Sequence, residues 1–201
     1  MRQFIALSLL LLAGNAFAAD LYVDPDAKGA ADTGDCTATP CVTIQYAIDQ
    51  ATGGDTITVD EGTYDESISV TKNLTFDGDT GGTASKIAPS AGANAISVVD
   101  ATVTFNDFEV DPNARGFLIG DSTPTRTTVT LNNVDVYGAD ATGLTPSSGG
   151  GMYVYPDCTV NINDSDWGST ANQATSGGHI HVDVQRAVRL NIQARHVDGT
   201  A

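Results

Sequence analysis

The sequence predicts an all-β fold in which very short strands are wound into the stacked layers of a parallel β-helix, with one α-helix at its N-terminal end. Three observations predict this architecture. Strands of three or four residues follow one another across single turns, a strand motif recurs roughly every thirty residues, and an amphipathic helix precedes the first of these strands. A single layer cannot bury its own apolar residues, so the layers must stack about 4.8 Å apart to form a core.

The helix is predicted at about residues 42–52, in the segment VTIQYAIDQAT. Its apolar residues recur at the i, i+3, i+4 and i+7 spacing that places them on one helical face. They are Ile44, Ala47, Ile48 and Ala51. Gly53 and Gly54 follow and end the helix. We expect this helix to cap the open N-terminal end of the core.

The hydrophobic period changes from helical to two after these glycines. Thr56–Val59, Ser67–Val70 and Leu74–Phe76 alternate polar and apolar side chains, and a turn at Gly62–Tyr64 separates the first two. Three very short strands in one unit are unusual for a sandwich and typical of one triangular coil. We predict such coils over about residues 55–195.

The opening segment also resembles a known family. Residues 36–78 read CTATPCVTIQYAIDQATGGDTITVDEGTYDESISVTKNLTFDG. This segment is similar to the first coil of pectin-lyase-like proteins, and the resemblance implies a right-handed parallel β-helix whose short helix plugs the core. Similar openings occur in polymorphic outer-membrane-type surface proteins and in polysaccharide lyases and esterases, so the resemblance implies a fold and not one activity.

A looser repeat runs through the rest of the chain. Its members are residues 103–110, 129–136 and 160–167, with a fainter copy that begins at Val188. The aligned asparagines are Asn106, Asn132, Asn163 and Asn191, at spacings of 26, 31 and 28 residues. We expect their amides to form a structural ladder at strand bends, where asparagine tolerates a left-handed φ.

The N-terminus has the features of an export signal. Met1 and Arg2 form a basic start, an apolar run follows from Phe4 to Ala13, and Ala16-Phe17-Ala18 presents small residues for cleavage after Ala18. The sequence therefore predicts a signal peptide at residues 1–18 and a mature β-helix domain at 19–201, located outside the cell or on its surface. No second hydrophobic stretch follows, so no transmembrane segment is expected in the mature chain.

Charge and cysteine content narrow the choice of partners. The formal net charge is −16, which disfavours nucleic acid and anionic membranes as partners. Extracellular polysaccharide or other cell-surface components remain as expected partners. Cys36 and Cys41 are placed to close a small disulfide loop in an oxidising compartment. Cys158 is interpreted as a buried apolar residue, because no catalytic signature surrounds it.

The repeat alignment brings Glu109, Asp135 and Asp166 to one position, on the outside of successive coils. Stacked carboxylates raise one another's pKa unless a cation bridges them, and calcium prefers such oxygen-rich sites. A calcium stack is therefore one hypothesis, and a solvated acidic face is the other. A catalytic centre would also need a placed base, and Arg115 and Arg126 lie in loops that match no lyase motif.

A second metal hypothesis concerns one alternating strand. His179, His181 and Asp183 are predicted on one side of this strand, and two histidines with a carboxylate are zinc ligands. The competing interpretation is that an outward face requires polar residues here, because a strand alternates its side chains. No fourth ligand is evident, which favours that interpretation.

Three functions fit these patterns. The first is an extracellular binding or adhesion scaffold that contacts glycans. The second is the N-terminal part of a carbohydrate-active enzyme, a calcium-dependent lyase or an esterase on acidic polysaccharide. The third is a truncated, nonfunctional remnant. The sequence shows no terminal cap, so we expect a β-helix that is incomplete at its C-terminal end and open to edge-to-edge self-association.

Overall fold

The fold was analysed in a computed structural model that describes residues 18–26, 31–79, 81, 84–91, 94–123, 126–144, 148–167, 174, 180–182 and 189–193. Strands dominate this part of the chain, which contains one helix, and the paired strands are parallel. The described chain is therefore an all-β parallel fold, as the sequence predicts. No helix among the described residues is long and apolar enough to cross a membrane.

The elements are short and follow in this order along the chain: β1 (Asp20–Val23), α1 (Ile44–Gln50), β2 (Thr56–Val59), β3 (Gly62–Tyr64), β4 (Ile68–Val70), β5 (Leu74–Gly78), β6 (Ser85–Ile87), β7 (Asn94–Val98), β8 (Thr102–Val110), β9 (Arg115–Ile119), β10 (Thr128–Val136), β11 (Met152–Val154), β12 (Thr159–Asn163), β13 (Ile180–Val182) and β14 (Arg189–Gln193). Most strands alternate buried and more exposed residues, which is the period of two that the sequence shows.

Two sheets contain all of these strands. The nine-stranded sheet has the order β1-β2-β5-β8-β10-β12-β14, with β3 and β6 paired beside this path, and β6 also pairs with β8. The five-stranded sheet has the order β13-β11-β9-β7-β4. From β7 onward the chain alternates strictly between the sheets. Strands adjacent in space thus come from successive repeats and not from successive positions in the chain.

The core lies between the two sheets and is built from inward residues in register. Phe76 on β5 pairs with Phe105 on β8, and their rings stack at a centroid distance of 4.6 Å. The ring of Phe117 on β9 meets Phe105 edge-on at 5.8 Å, which joins the two sheets through aromatic contact. All three side chains are fully buried. Because the strands pair in register, the buried apolar residues of successive repeats lie next to one another in continuous rows.

Helix α1 covers the start of this core and is held at both ends by side chains. Ile44, Ala47 and Ile48 are its buried residues. At its start, the Glu66 carboxylate accepts hydrogen bonds from the backbone N–H groups of Ile44 and Gln45, at 2.7 and 2.9 Å. Such bonds satisfy donors that an α-helix leaves free. The helix occupies Ile44–Gln50, two residues shorter at each end than the predicted 42–52.

The C-terminal end of α1 has its own partner. Lys72 donates from Nζ to the carbonyl oxygens of Ile48, Asp49 and Ala51, at 2.7 to 3.0 Å. A lysine at this end satisfies free carbonyls and complements the helix dipole. The two anchoring residues flank β4, with Glu66 before this strand and Lys72 after it.

The predicted disulfide between Cys36 and Cys41 is present. It closes a loop that pairs with the edge of β1 through three backbone bonds: Tyr22 N–H to Cys36 O, Cys41 N–H to Tyr22 O, and Asp24 N–H to Cys41 O. These bonds cover donors and acceptors that an edge strand would otherwise expose. The N-terminal edge of the nine-stranded sheet is therefore closed by a cross-linked loop.

Candidate functional site

A column of side chains runs along the outer face of the nine-stranded sheet. In-register pairing aligns one outward residue from each of six strands, from β1 to β12. The column comprises Tyr22, Thr58, Asp77, Asn106, Asn132 and Asn163. Paired strands lie about 4.8 Å apart, so the column presents one polar group at each such interval.

The asparagines of this column are joined by their amides. Nδ2 of Asn132 donates to Oδ1 of Asn106 at 2.7 Å, and Nδ2 of Asn163 donates to Oδ1 of Asn132 at 2.8 Å. Asn106 continues the chain to a carboxylate oxygen of Asp77 at 3.3 Å. The structure thus brings three of the four predicted ladder residues together. Each amide carries two N–H groups and one carbonyl oxygen, so an asparagine can bond to both of its neighbours in the column.

Asn191 does not belong to this column, so its alignment from the sequence is wrong by two residues. Strand pairing places Asn191 beside Asn161, and Nδ2 of Asn191 donates to Oδ1 of Asn161 at 2.8 Å. The backbone position beside Asn163 is Gln193. The number of residues between matching positions of β12 and β14 is therefore two more than the motif alone indicates for Asn163.

The left-handed backbone positions also differ from the prediction. Positive φ angles occur at Asp107 (63°), Asn133 (54°) and Asp164 (50°), each one residue after a ladder asparagine. Asp and Asn tolerate this conformation because their short polar side chains bond locally. Nδ2 of Asn133 donates to Oδ1 of Asp107 at 2.8 Å, so the bends form a second ladder.

Two of the three carboxylates predicted as a calcium stack, those of Glu109 and Asp135, are engaged by protein groups. Glu109 and Asp135 are paired in register, but Glu109 is ion-paired to Lys86 at 3.1 Å. Oδ1 of Asp135 accepts a hydrogen bond from the backbone N–H of Asp166 at 2.9 Å. Within the described ranges, no three His, Cys, Asp or Glu side chains are grouped to hold a metal ion. The described geometry therefore gives no support to the calcium hypothesis for these three residues.

Lys86 and Tyr137 are the residues that sequence reasoning missed at this position. The Tyr137 hydroxyl donates to Glu109, and Lys86 Nζ lies 5.2 Å from the centre of the Tyr137 ring. The hydrogen bond from Tyr137, with Lys86, lowers the pKa of Glu109, although partial burial opposes this. The pKa values of Lys86 and Tyr137 are raised, the first mainly by their hydrogen bond and the second mainly by burial. Glu109 and Lys86 therefore form an ion pair, to which the Tyr137 hydroxyl is hydrogen-bonded.

The predicted zinc ligands His179 and Asp183 lie outside the described residues. His181 is described, and its ring stacks on that of Tyr153 with centroids 5.1 Å apart. Cys158 is buried, and burial raises the pKa of its thiol, which disfavours the reactive thiolate.

A cavity of about 330 Å³ lies at the N-terminal end of the asparagine column. The Tyr22 side chain, 43% exposed, lines it together with Thr58 of the same column. Its other lining residues are Val23, Asp24, Pro40, Val59, Asp60, Gly78 and Asp79. An exposed aromatic ring beside polar groups in a concave site is the usual composition of a small-ligand pocket.

Three carboxylates give this cavity its charge. Asp24, Asp60 and Asp79 each accept one backbone hydrogen bond through Oδ1, at 2.9, 2.9 and 2.6 Å. Burial, followed by the charges of Asp24 and Asp60, raises the pKa of the neighbouring Tyr64. Ionised carboxylates only accept hydrogen bonds, so a ligand here must supply donors. The cavity therefore favours ligands rich in hydroxyl or amino groups over anionic ones.

No protein-family model matches this sequence, and comparison with curated proteins and with solved structures finds no match either. The interpretation of the site therefore rests on its own geometry.

Proposed function

We propose that the mature chain is a right-handed parallel β-helix that acts outside the cell as a binding scaffold for glycans. The single observation that carries the proposal is the outward column Tyr22–Asn163, which ends in the Tyr22 cavity. An exposed aromatic ring at one end and hydrogen-bonding side chains at regular steps suit an extended chain of sugar rings. The spacing between neighbouring side chains of the column, about 4.8 Å, is comparable to the length of one sugar ring in such a chain.

Several features support the β-helix itself. Parallel strands joined by long connections require crossovers, and such crossovers are nearly always right-handed. The alternation of the chain between two sheets, from β7 onward, is the path that stacked coils follow. The similarity of residues 36–78 to pectin-lyase-like openings agrees with this path. The signal-like N-terminus and the Cys36–Cys41 disulfide support an extracellular location.

Charge favours an uncharged or amino-bearing glycan over an acidic one. The chain carries a net charge of −16, and three aspartates line the cavity. A uronate or sulfate group would be repelled there, whereas sugar hydroxyls and ammonium groups donate to carboxylates.

Calorimetric titration of the folded chain with three hexasaccharides tests this proposal: cellohexaose, hexaglucosamine and hexagalacturonate. We expect binding of one or both of the first two and none of the third. Tyr22→Ala is expected to weaken binding by about five- to hundredfold, because stacking and burial of an aromatic ring contribute on the order of 1–3 kcal/mol. Ser69→Ala, on the outer face of the other sheet, is the matched control and leaves affinity unchanged.

Two results would contradict the proposal. One is an absence of binding to all three sugars by a folded sample. The other is the appearance of unsaturated products, absorbing in the ultraviolet, when the chain is mixed with polygalacturonate. The second result would favour the lyase hypothesis over the scaffold.

A further inference from the structure

Asp55 is a buried carboxylate that binds the backbone at the start of β1. Its side chain lies in the connection between α1 and β2, and the residue is only 3% exposed. Oδ1 accepts a hydrogen bond from the main-chain nitrogen of Ala19 at 2.8 Å. Oδ2 accepts two bonds from Thr52, one from its backbone N–H at 2.7 Å and one from Oγ1 at 2.9 Å. The carboxylate is thus fixed and directed at Ala19.

The position of Ala19 is fixed by the sheet as well. Its carbonyl oxygen accepts a hydrogen bond from the Thr56 N–H at 2.9 Å, and the next residue, Asp20, pairs in register with Thr56. The nitrogen of Ala19 is therefore held against Asp55 by strand pairing. Ala18, on the other side of this nitrogen, is exposed. Loss of Ala18 would remove no buried side chain.

The Ala18–Ala19 bond is also the bond at which the small-x-small pattern of Ala16–Ala18 predicts cleavage. We propose that removal of residues 1–18 creates an α-ammonium group on Ala19 that binds the buried Asp55 carboxylate and locks β1 onto β2. The step is a hydrolysis in which water is consumed, Ala18 leaves with a new carboxylate, and Ala19 keeps its nitrogen as an ammonium. The nitrogen that donates as an amide before cleavage donates as a cation afterwards.

The charge balance at Asp55 favours this arrangement. Burial raises the pKa of Asp55, but the hydrogen bonds from Ala19 and Thr52 and the charge of Lys72 lower it overall, so the side chain is ionised. Lys72 already donates to the carbonyls of Ile48, Asp49 and Ala51 at the end of α1. A cation in direct contact with Asp55 would offset the cost of burying its charge, and hydrogen bonds between charged partners are the stronger kind.

The first test is the N-terminus of the exported protein. Mass spectrometry and N-terminal sequencing of the processed chain are expected to give Ala19 as the first residue. A mature N-terminus at any other position would overturn the proposal, because the ammonium would then not lie against Asp55.

The second test isolates the charge. We expect the chain that begins at a free Ala19 amine to have an unfolding equilibrium constant roughly tenfold smaller than the same chain N-acetylated. The acetylated amide still donates to Asp55, and a charged donor makes that hydrogen bond roughly twice as strong. Asp55→Asn is expected to abolish this difference, whereas Asp20→Asn, next to the terminus and exposed, keeps it. Equal stability of the free and acetylated chains would overturn the proposal.

A further measurement covers the case in which Asp55→Asn does not fold. In the folded wild type, NMR titration of the Ala19 α-amino group is expected to give a pKa above the ordinary value of about 7.7–8.0, because a buried anion stabilises the ammonium. An unshifted value would contradict a direct contact with Asp55.

Discussion

The outer faces of the two sheets are built by the same pairing rule and yet differ in what they offer. On the nine-stranded sheet, the outward column from Tyr22 to Asn163 is polar and lies open. On the five-stranded sheet, strand pairing aligns another outward column, which becomes less polar along its length: Ser69, Ser97, Leu118, Tyr153 and His181. One face is suited to solvent and a hydrophilic ligand, and the other is partly covered by the protein itself.

Arg115 and Tyr153 explain the covered face. Tyr153 is only 6% exposed although it points outward, because Tyr155, His181 and the Arg115 guanidinium all lie against its ring. Arg115 is itself 3% exposed and donates to the carbonyls of Ser148 and Gly149, at 3.0 and 3.1 Å. The arginine that sequence analysis placed in a loop thus pins the turn before β11 against β9. The comparison shows which outer face is accessible, and this is why the proposed binding site is assigned to the face without such a cover.

The largest expected effect is that of Phe105→Ala, which tests whether the two sheets share one core. Phe105→Ala is expected to lower the free energy of unfolding by about 3–5 kcal/mol, because it leaves a cavity among aromatic rings from both sheets. Denaturant unfolding measures this loss. Thr104→Ala, one residue earlier and facing outward, is the matched control and should change stability by less than about 0.5 kcal/mol. A loss below about 1 kcal/mol at Phe105 would contradict the shared core.

Arg115→Met tests the cover on the five-stranded sheet. The substitution leaves carbonyls without donors, so we expect a loss of about 1–3 kcal/mol of stability and faster amide exchange at residues 148–151. Binding of sugars at the Tyr22 column should be unchanged. Arg126→Met, at an exposed arginine, is the control. If both variants were equally stable, the guanidinium would have no role in holding the turn.

Asn132→Ala tests the open column at its centre. The change breaks two amide contacts, to Asn106 and Asn163, and on an exposed face each is worth little, so we expect a loss of about 1 kcal/mol. Thermal unfolding measures the loss, with Ser97→Ala on the other sheet as the comparison. A neutral Asn132→Ala variant would show that the asparagine ladder does not stabilise the fold.

The smallest expected effect is a change in how the stability of the fold depends on pH under acidic conditions. The pKa of Glu109 is lower in the folded chain than its ordinary value, so its contribution to stability is present above about pH 4.3 and is lost as the pH falls through the folded value. Glu109→Gln should therefore flatten the acid limb of the stability curve, by less than about 1 kcal/mol because the ion pair is partly exposed. Lys86→Met should flatten the acid limb less, because the Tyr137 hydroxyl still donates to Glu109 in that variant. An acid limb that is unchanged in both variants would refute the pairing.

Local periodicity made much of this structure predictable. The apolar stripe at Ile44, Ala47 and Ile48 identifies the helix, and the period of two identifies the strands, because each signal depends only on neighbouring residues. The three asparagines fall in one column because intact motifs carry their own register. The alignment of Asn191 was wrong by two residues, because the motif does not show how many residues separate matching positions of β12 and β14. The ion pair of Glu109 could not be predicted, because Lys86, 23 residues away, has no mark in the sequence that assigns it this partner.

The sequence by itself determined the elements, their alternation and the disulfide, because hydrogen-bond period, side-chain period and cysteine spacing are local properties. Only the tertiary structure decided that Tyr22 heads the asparagine column, that Lys86 neutralises Glu109, and that Asp55 binds the nitrogen of Ala19. Each of these contacts joins residues at least 23 positions apart. Each contact depends on the register with which a connection brings one strand beside its neighbour in the sheet. That register is set by the packing of the whole core and not by any one segment.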